Sequence, residues 1–201
     1  MIFLVLMAIT GELGSGKTLT LTYLAWRNHT KKGMNIYSNY SLFGIPYRKV
    51  DCLMKLEQMR NGFFAGDELW LWLSGLGSSL LEKVTADILL KSRKRGLTYA
   101  FTTQTIGQIP PRVRKVVDFT VYPIIAASDT LCKVLIFQGP KPDMHSHLKT
   151  LYFKTKPVFA MYNTREEVSP LKQASSVPFE EIFESLRDLE KEEEKDEYKV
   201  I

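Results

Sequence analysis

The sequence predicts an α/β fold: an open parallel β-sheet with helices on both faces. Three observations predict it. Short apolar, β-rich runs alternate with segments of helical period, the pattern of successive βαβ units. The first run, Ile2–Ile9, passes directly into Gly11-Glu12-Leu13-Gly14-Ser15-Gly16-Lys17-Thr18 and then into a helical segment. A later run, Phe63–Asp67, ends on the acidic pair Asp67-Glu68. In a parallel sheet both features fall at the carboxyl edge, where such sheets bind ligands.

Ile2–Ile9 is continuously apolar, as expected of a strand buried on both faces. Thr18–Lys32 reads as a helix: Leu19, Tyr23 and Trp26 fall on one stripe, and Lys31, Lys32 and Gly33 form a cationic, glycine-stopped end. Met34–Ser38 is a second strand. Asn39–Lys49, with Gly44 and Pro46, reads as a loop or hairpin. Asp51–Met59 reads as a short helix with Asp51 as a candidate N-cap. Phe63–Asp67 is the third strand. Ser78 or Ser79 opens a helix to about Lys94, with Leu81, Val84, Ile88 and Leu89 on its inner face and Gly96 as its stop. Leu97–Thr103 is the fourth strand and Val116–Ile125 the fifth. Leu131–Gln138 and Leu148–Lys154 add further strands toward the C-terminus.

The chain has 201 residues and a net charge of +5. That charge is unevenly placed. Residues 179–201 hold ten acids and four bases, leaving 23 bases against 12 acids elsewhere, a body suited to a polyanion. Phe179, Ile182, Phe183, Leu186 and Leu189 make an apolar stripe on that acidic segment, which packs either on its own domain or on a neighbouring subunit. The expected division is a domain over 1–165 and a polar extension over 166–201. Eight apolar residues cannot cross a bilayer, and none of the apolar runs is longer, so the expectation is a cytoplasmic protein with no integral membrane segment. Two distant cysteines, Cys52 and Cys132, indicate neither a disulfide framework nor a zinc site.

The octapeptide from Gly11 to Thr18 is a G-x-x-x-x-G-K-T loop, the Walker A pattern. Its chemistry follows from residue type. Gly11, Gly14 and Gly16 let the main chain curl so that the N–H groups of Glu12, Leu13, Ser15 and their neighbours surround an anion. Lys17 supplies a point charge for the β- and γ-phosphates of ATP, and the Thr18 hydroxyl a ligand for Mg²⁺. The helix running on through Leu19 adds the positive end of its dipole. Asp67, at the end of an apolar strand, has the place of a Walker B carboxylate in the Mg²⁺ shell; Glu68 is the candidate base for an attacking water. Gln104 follows the fourth strand and so reaches the same edge, where an amide can sense the γ-phosphate.

Lys91, Arg93, Lys94 and Arg95 crowd the end of the third predicted helix. Three readings stay open: complementing the helix dipole, contacting nucleic-acid phosphate, or sending Arg93 or Arg95 to the γ-phosphate of a neighbouring subunit. Arg112, Arg114 and Lys115 form a second basic patch, assigned to DNA contact or to a subunit interface. Trp70 and Trp72 read as core or interface packing, and Gly75–Ser79, which lacks a lysine, as a loop. His145 and His147 have no acid or thiol at ligand spacing.

Taken together, GELGSGKT, FFAGDE, SRKRG and TTQ, in this order and spacing, resemble the FtsK–HerA superfamily of P-loop ATPases. The chain is most similar to its small archaeal viral and plasmid genome-packaging branch and to zonula occludens toxin-like phage assembly proteins. The resemblance covers about residues 1–165. It implies a RecA-like sheet of order 5-1-4-3-2, with the glutamine strand between the two Walker strands. It also implies a hexameric ring with ATP at subunit boundaries and double-stranded DNA in its channel, and places Tyr162 near the adenine. On this reading the chain is an ATP-hydrolysing motor that packages or translocates DNA, with capsid or membrane proteins as further partners. The alternative is a toxin-like assembly or secretion ATPase acting on protein.

Overall fold

The computed structural model describes residues 5–51, 53–69, 91 and 94–168. Trp70, Trp72, Gly75–Ser79, the predicted helix ending near Lys94, Arg93 and the acidic segment after 168 lie outside them. One eight-stranded sheet organises the chain: β1 (Leu6–Thr10), β2 (Asn35–Ser38), β3 (Arg48–Lys49), β4 (Gly62–Gly66), β5 (Leu97–Thr103), β6 (Phe119–Ile125), β7 (Leu131–Gln138) and β8 (His147–Lys154), in the order β3-β2-β4-β5-β1-β6-β7-β8. The helices are α1 (Lys17–Lys32), α2 (Leu53–Gln58), α3 (Pro111–Arg114) and α4 (Thr155–Phe159).

For the five strands expected to carry the site, this is the order 5-1-4-3-2: β5, which leads into Gln104, is hydrogen-bonded to β1 on one side and β4 on the other. The sheet is not parallel throughout. β3, β2, β4, β5, β1 and β6 pair parallel, whereas β7 and β8 return antiparallel. The reason lies in connection length. Only five residues separate β6 from β7, enough for a hairpin and too few for a parallel crossover. Burial follows the same division. Every residue of β4 and β5 is buried, while β7 buries only Cys132 and Val134 and β8 only Phe153.

α1 fills the face of the sheet that holds the main core. Leu19, Leu21 and Ala25 are buried there with Ile9, Phe63, Val121, Cys132 and Val134. Tyr23 stacks on Phe153 of β8, ring centroids 4.1 Å apart. Fully burying side chains of this size contributes about 1.5–3 kcal/mol each. The helix stops at Gly33, whose φ of 65° suits glycine and whose N–H reaches the Asn28 and His29 carbonyls. The β1–β2 connection passes over β5 and β4, and the β5–β6 connection passes over β1 in the opposite direction, so the right-handed rule for such crossovers predicts α1 and α3 on opposite faces of the sheet.

Local differences from the sequence reading have plain causes. The loop over Asn39–Lys49 contains β3, a two-residue edge strand paired with Tyr37 and Ser38. β6 begins at Phe119 rather than Val116, because the Val116 and Val117 N–H groups are taken by Val113 and Arg114 in the turn after α3. α2 begins at Leu53, and the Asp51 carboxylate holds Lys55 one turn on.

Candidate active site

β1 delivers its last residue, Thr10, to the carboxyl edge, and the chain then turns through Gly11 to Gly16 before α1 starts. Gly16 sits at φ 95°, and a Cβ there would stand 2.9 Å from the Ile125 side chain, so both backbone and space demand glycine. Gly16 caps α1 with no side-chain bond, and no acid occupies the first turn. The N-terminal amides of a sixteen-residue helix are therefore left for an anion. Two further observations fit a triphosphate. The Ser15 hydroxyl is buried in the loop with no protein partner. The Lys17 ammonium folds back onto the Gly11 and Glu12 carbonyls, 2.9 Å from each, a position it can leave for phosphate oxygens. Burial lowers the pKa of Lys17, and the charges of Asp67 and Glu68 oppose that shift.

Asp67 faces this loop. Its carboxylate accepts the Thr18 hydroxyl at 3.0 and 3.1 Å and the Thr102 hydroxyl at 2.7 Å. It is 8% exposed. Burial pushes its pKa above the usual carboxylate range, against the two hydroxyl donors and Lys17, which pull it down. A hydroxyl and a carboxylate in contact, with the half-buried Lys17 ammonium nearby, are the groups that an Mg²⁺–triphosphate needs. Glu68 follows at φ 48°, a left-handed conformation rare for glutamate, and its N–H donates to Thr102 Oγ1 at 2.7 Å.

Gln104 meets the loop through its main chain. Its carbonyl accepts the Thr10 hydroxyl at 2.9 Å and the Gly11 N–H at 3.4 Å. The residue is exposed and lines a cleft of about 650 Å³ together with Thr10, Gly11, Glu12, Leu13, Thr105, Ile106 and Tyr122.

Among solved structures, the N-terminal domain of zonular occludens toxin from Neisseria meningitidis matches with a TM-score of 0.57 at 16% identity, over 80% of this chain and 99% of that one. This chain has the P-loop NTPase fold. A KaiC-like protein from Pyrococcus horikoshii OT3 also matches, with a TM-score of 0.40 at 12% identity, over 75% of this chain and 84% of that one. No protein-family model and no curated protein matches the sequence.

Within this P-loop fold the other sequence-predicted residues take distinct places. Gly14, Glu12 and Leu13 lie on the exposed outer arc of the loop, Leu13 at 82% exposure. The Leu19 side chain is buried in the core, so only its backbone is left to face a nucleotide. Arg95 lies at the amino edge of β5, across the sheet from Lys17, and donates to the Glu57 carbonyl at 2.7 Å. Tyr162, expected near an adenine, is instead a core residue: it is 9% exposed, edge-on to Tyr40 and stacked with Phe159. The chain following β8 folds under α1, which draws Tyr162 inward. His147 hydrogen-bonds Thr150, and no cluster able to hold a metal through His, Cys, Asp and Glu occurs among the described residues. No described helix is long and apolar enough to cross a membrane.

Sequence reasoning missed three residues that shape the site. Thr102 bridges Asp67 and Glu68. The Asn39 carboxamide, one residue beyond β2, grips the Asp67 backbone. The Gln108 carboxamide oxygen accepts the Gln104 and Thr105 N–H groups and the Thr103 hydroxyl, and so sets the turn after β5. Asn39 and Thr102 each follow an apolar run at the carboxyl edge, the same signal that pointed to Asp67.

Proposed function

We propose that this chain hydrolyses ATP and uses the energy to move double-stranded DNA as a homo-oligomeric motor. The observation that carries hydrolysis is the Thr18 hydroxyl on both oxygens of Asp67, with Lys17 beside it and Glu68 next in the chain. Gly11 to Leu19 would cradle the phosphates with backbone N–H groups. Lys17 would exchange the Gly11 and Glu12 carbonyls for phosphate oxygens. Thr18 and Asp67 would hold Mg²⁺, which when bound neutralises charge on the β- and γ-phosphates. Glu68, set by Thr102, is placed to accept the proton of an attacking water. Gln104, tied to Gly11 through its carbonyl, links the glutamine strand to the loop. Arg93 or Arg95 of a neighbouring copy is the candidate for completing the site in trans, in a ring of hexameric type. Support for DNA comes from the excess of bases over acids outside residues 179–201.

A second reading is favoured by one finding, the likeness to the zonular occludens toxin domain. On that reading the same ATPase drives virus or phage assembly or secretion, acting on protein at a capsid or membrane. One experiment separates the two: ATP turnover measured against protein concentration, with and without duplex DNA at low salt. The motor reading expects specific activity to rise with concentration and again with duplex. Turnover that ignores duplex but responds to a coat protein supports the second reading. A flat concentration dependence with no DNA response overturns the motor.

A further inference from the structure

Apart from Tyr122, which lines the cleft beside Gly11 and Gln104, the face of β6–β8 turned away from α1 takes no part in the nucleotide site as described. Cross-strand partners stand side by side, so register assigns the faces. Ile125, Cys132 and Phe153 form one row, and Pro123, Val134 and Leu151 another, on the α1 side. The opposite face carries the row Ile124, Lys133, Tyr152, the row Tyr122, Leu135, Thr150, and the pair Leu131 with Lys154. Tyr152 is 59% exposed and Ile124 48%. Along the same face Tyr122 meets Phe137 edge-on at 5.7 Å, and Phe137 meets His147 edge-on at 5.4 Å. These three strands contain no Asp or Glu. Asp129 and Asp143 lie in the connecting turns, where Asp143 bonds Ser146, and Asp118 precedes β6, where it holds the Leu6 N–H.

Aromatic rings and ammonium groups on strands that carry no carboxylate suit one class of polyanion. Duplex DNA would use the lysines but leave the rings idle, since its bases are stacked within the helix. Unpaired bases have free π faces that stack on exposed rings while the phosphates between them take up cations. We propose that this face binds single-stranded nucleic acid, with phosphates on Lys133 and Lys154 and bases on Tyr152 and the Tyr122–Phe137–His147 ridge. Tyr122 also lines the cleft with Gly11, Glu12 and Gln104, so a strand on this face would abut the nucleotide site. The proposal concerns binding and stands whether or not the chain hydrolyses ATP.

The test is fluorescence anisotropy of the full chain with a labelled oligothymidylate of about 20 nucleotides, long enough to span one such site. Tyr152→Ala is expected to weaken binding by about fivefold to a hundredfold, Tyr152→Phe to restore it, and duplex affinity to stay unchanged. Replacing both Lys133 and Lys154 with Ala should flatten the salt dependence by a slope of about 1.4. Thermal melts of each variant report folding. Unchanged oligothymidylate binding by Tyr152→Ala, or an equal loss on duplex, overturns the proposal. So does a Lys133→Glu variant that alters the sedimenting mass while binding oligothymidylate normally, which would make the face a contact between copies. Loss of ATP turnover in Glu68→Gln with unaltered oligothymidylate binding keeps the two readings separate.

Discussion

The Asn39 side chain closes on the main chain of Asp67 from both sides: its carboxamide oxygen accepts the Asp67 N–H and its nitrogen donates to the Asp67 carbonyl, each at 2.7 Å. β2 thereby fixes the peptide that β4 extends beyond the sheet, where no strand partner remains for it. Asn39→Ala leaves two buried backbone groups unpaired. At about 1–3 kcal/mol for each such group, and with partial relief by water, the expected loss is about 2–4 kcal/mol, measured by urea unfolding. An unchanged midpoint would show that the clamp carries no stability.

Thr102 acts on both carboxylate residues at once, donating to Asp67 Oδ1 and accepting the Glu68 N–H. Thr102→Val keeps the shape and removes both bonds. Glu68 then loses the contact that supports its left-handed backbone. Turnover is expected to fall by about a hundredfold, as for a catalytic group displaced by about 1 Å, while nucleotide affinity changes far less. Thr102→Ser should recover most of the rate. A competitive binding titration beside steady-state turnover separates the two effects.

Gly16 tests the loop itself. Gly16→Ala meets a backbone cost of about 1–2 kcal/mol at φ 95° and the Ile125 side chain at 2.9 Å. The expected outcome is a lower melting temperature and weakened nucleotide binding. Ile125→Ala in the same chain should relieve the steric part and leave the backbone part, a coupling that a double-mutant cycle reads directly.

Glu166 ties the chain after α4 to the β2–β3 connection, accepting Ser41 N–H at 2.7 Å, the Ser41 hydroxyl at 3.1 Å and Lys49 at 2.8 Å. Burial opposes its ionisation, but Lys49 and Ser41 outweigh burial and hold its pKa below the ordinary 4.5. A lowered folded-state pKa stabilises the fold above the ordinary value, and that stabilisation is lost as pH falls through the folded one. Glu166→Gln should therefore cost about 0.5–1 kcal/mol near neutral pH, allowing for solvent screening, and progressively less below pH 4.5. Thermal melts across that range give the comparison. A difference that grows toward acid pH would contradict the assignment.

How much of this was legible in the sequence depends on range. The glycine loop, the Asp67-Glu68 pair and the ends of β5 and β7 are local patterns, written in contiguous residues. The place of β5 between the Walker strands came from resemblance and not from periodicity. The antiparallel return of β7 and β8 was missed although its signals were local: a five-residue link after β6, too short for a parallel crossover, and strands that are not continuously apolar. Tyr162 was misplaced because its burial depends on α4 folding beneath α1, a contact between distant segments. Asn39 and Thr102 escaped notice because a polar residue at the end of an apolar strand resembles any strand cap. Only the sheet order brings both of them to Asp67.

The measurement closest to the central claim is ATP turnover by Glu68→Gln with Mg²⁺, beside ATP binding by the same protein. Removing the water-activating carboxylate while keeping its size should lower turnover by about a hundredfold or more, with affinity within severalfold of the parent chain. Turnover equal to the parent would contradict the assignment of Glu68 and the hydrolytic reading built on it.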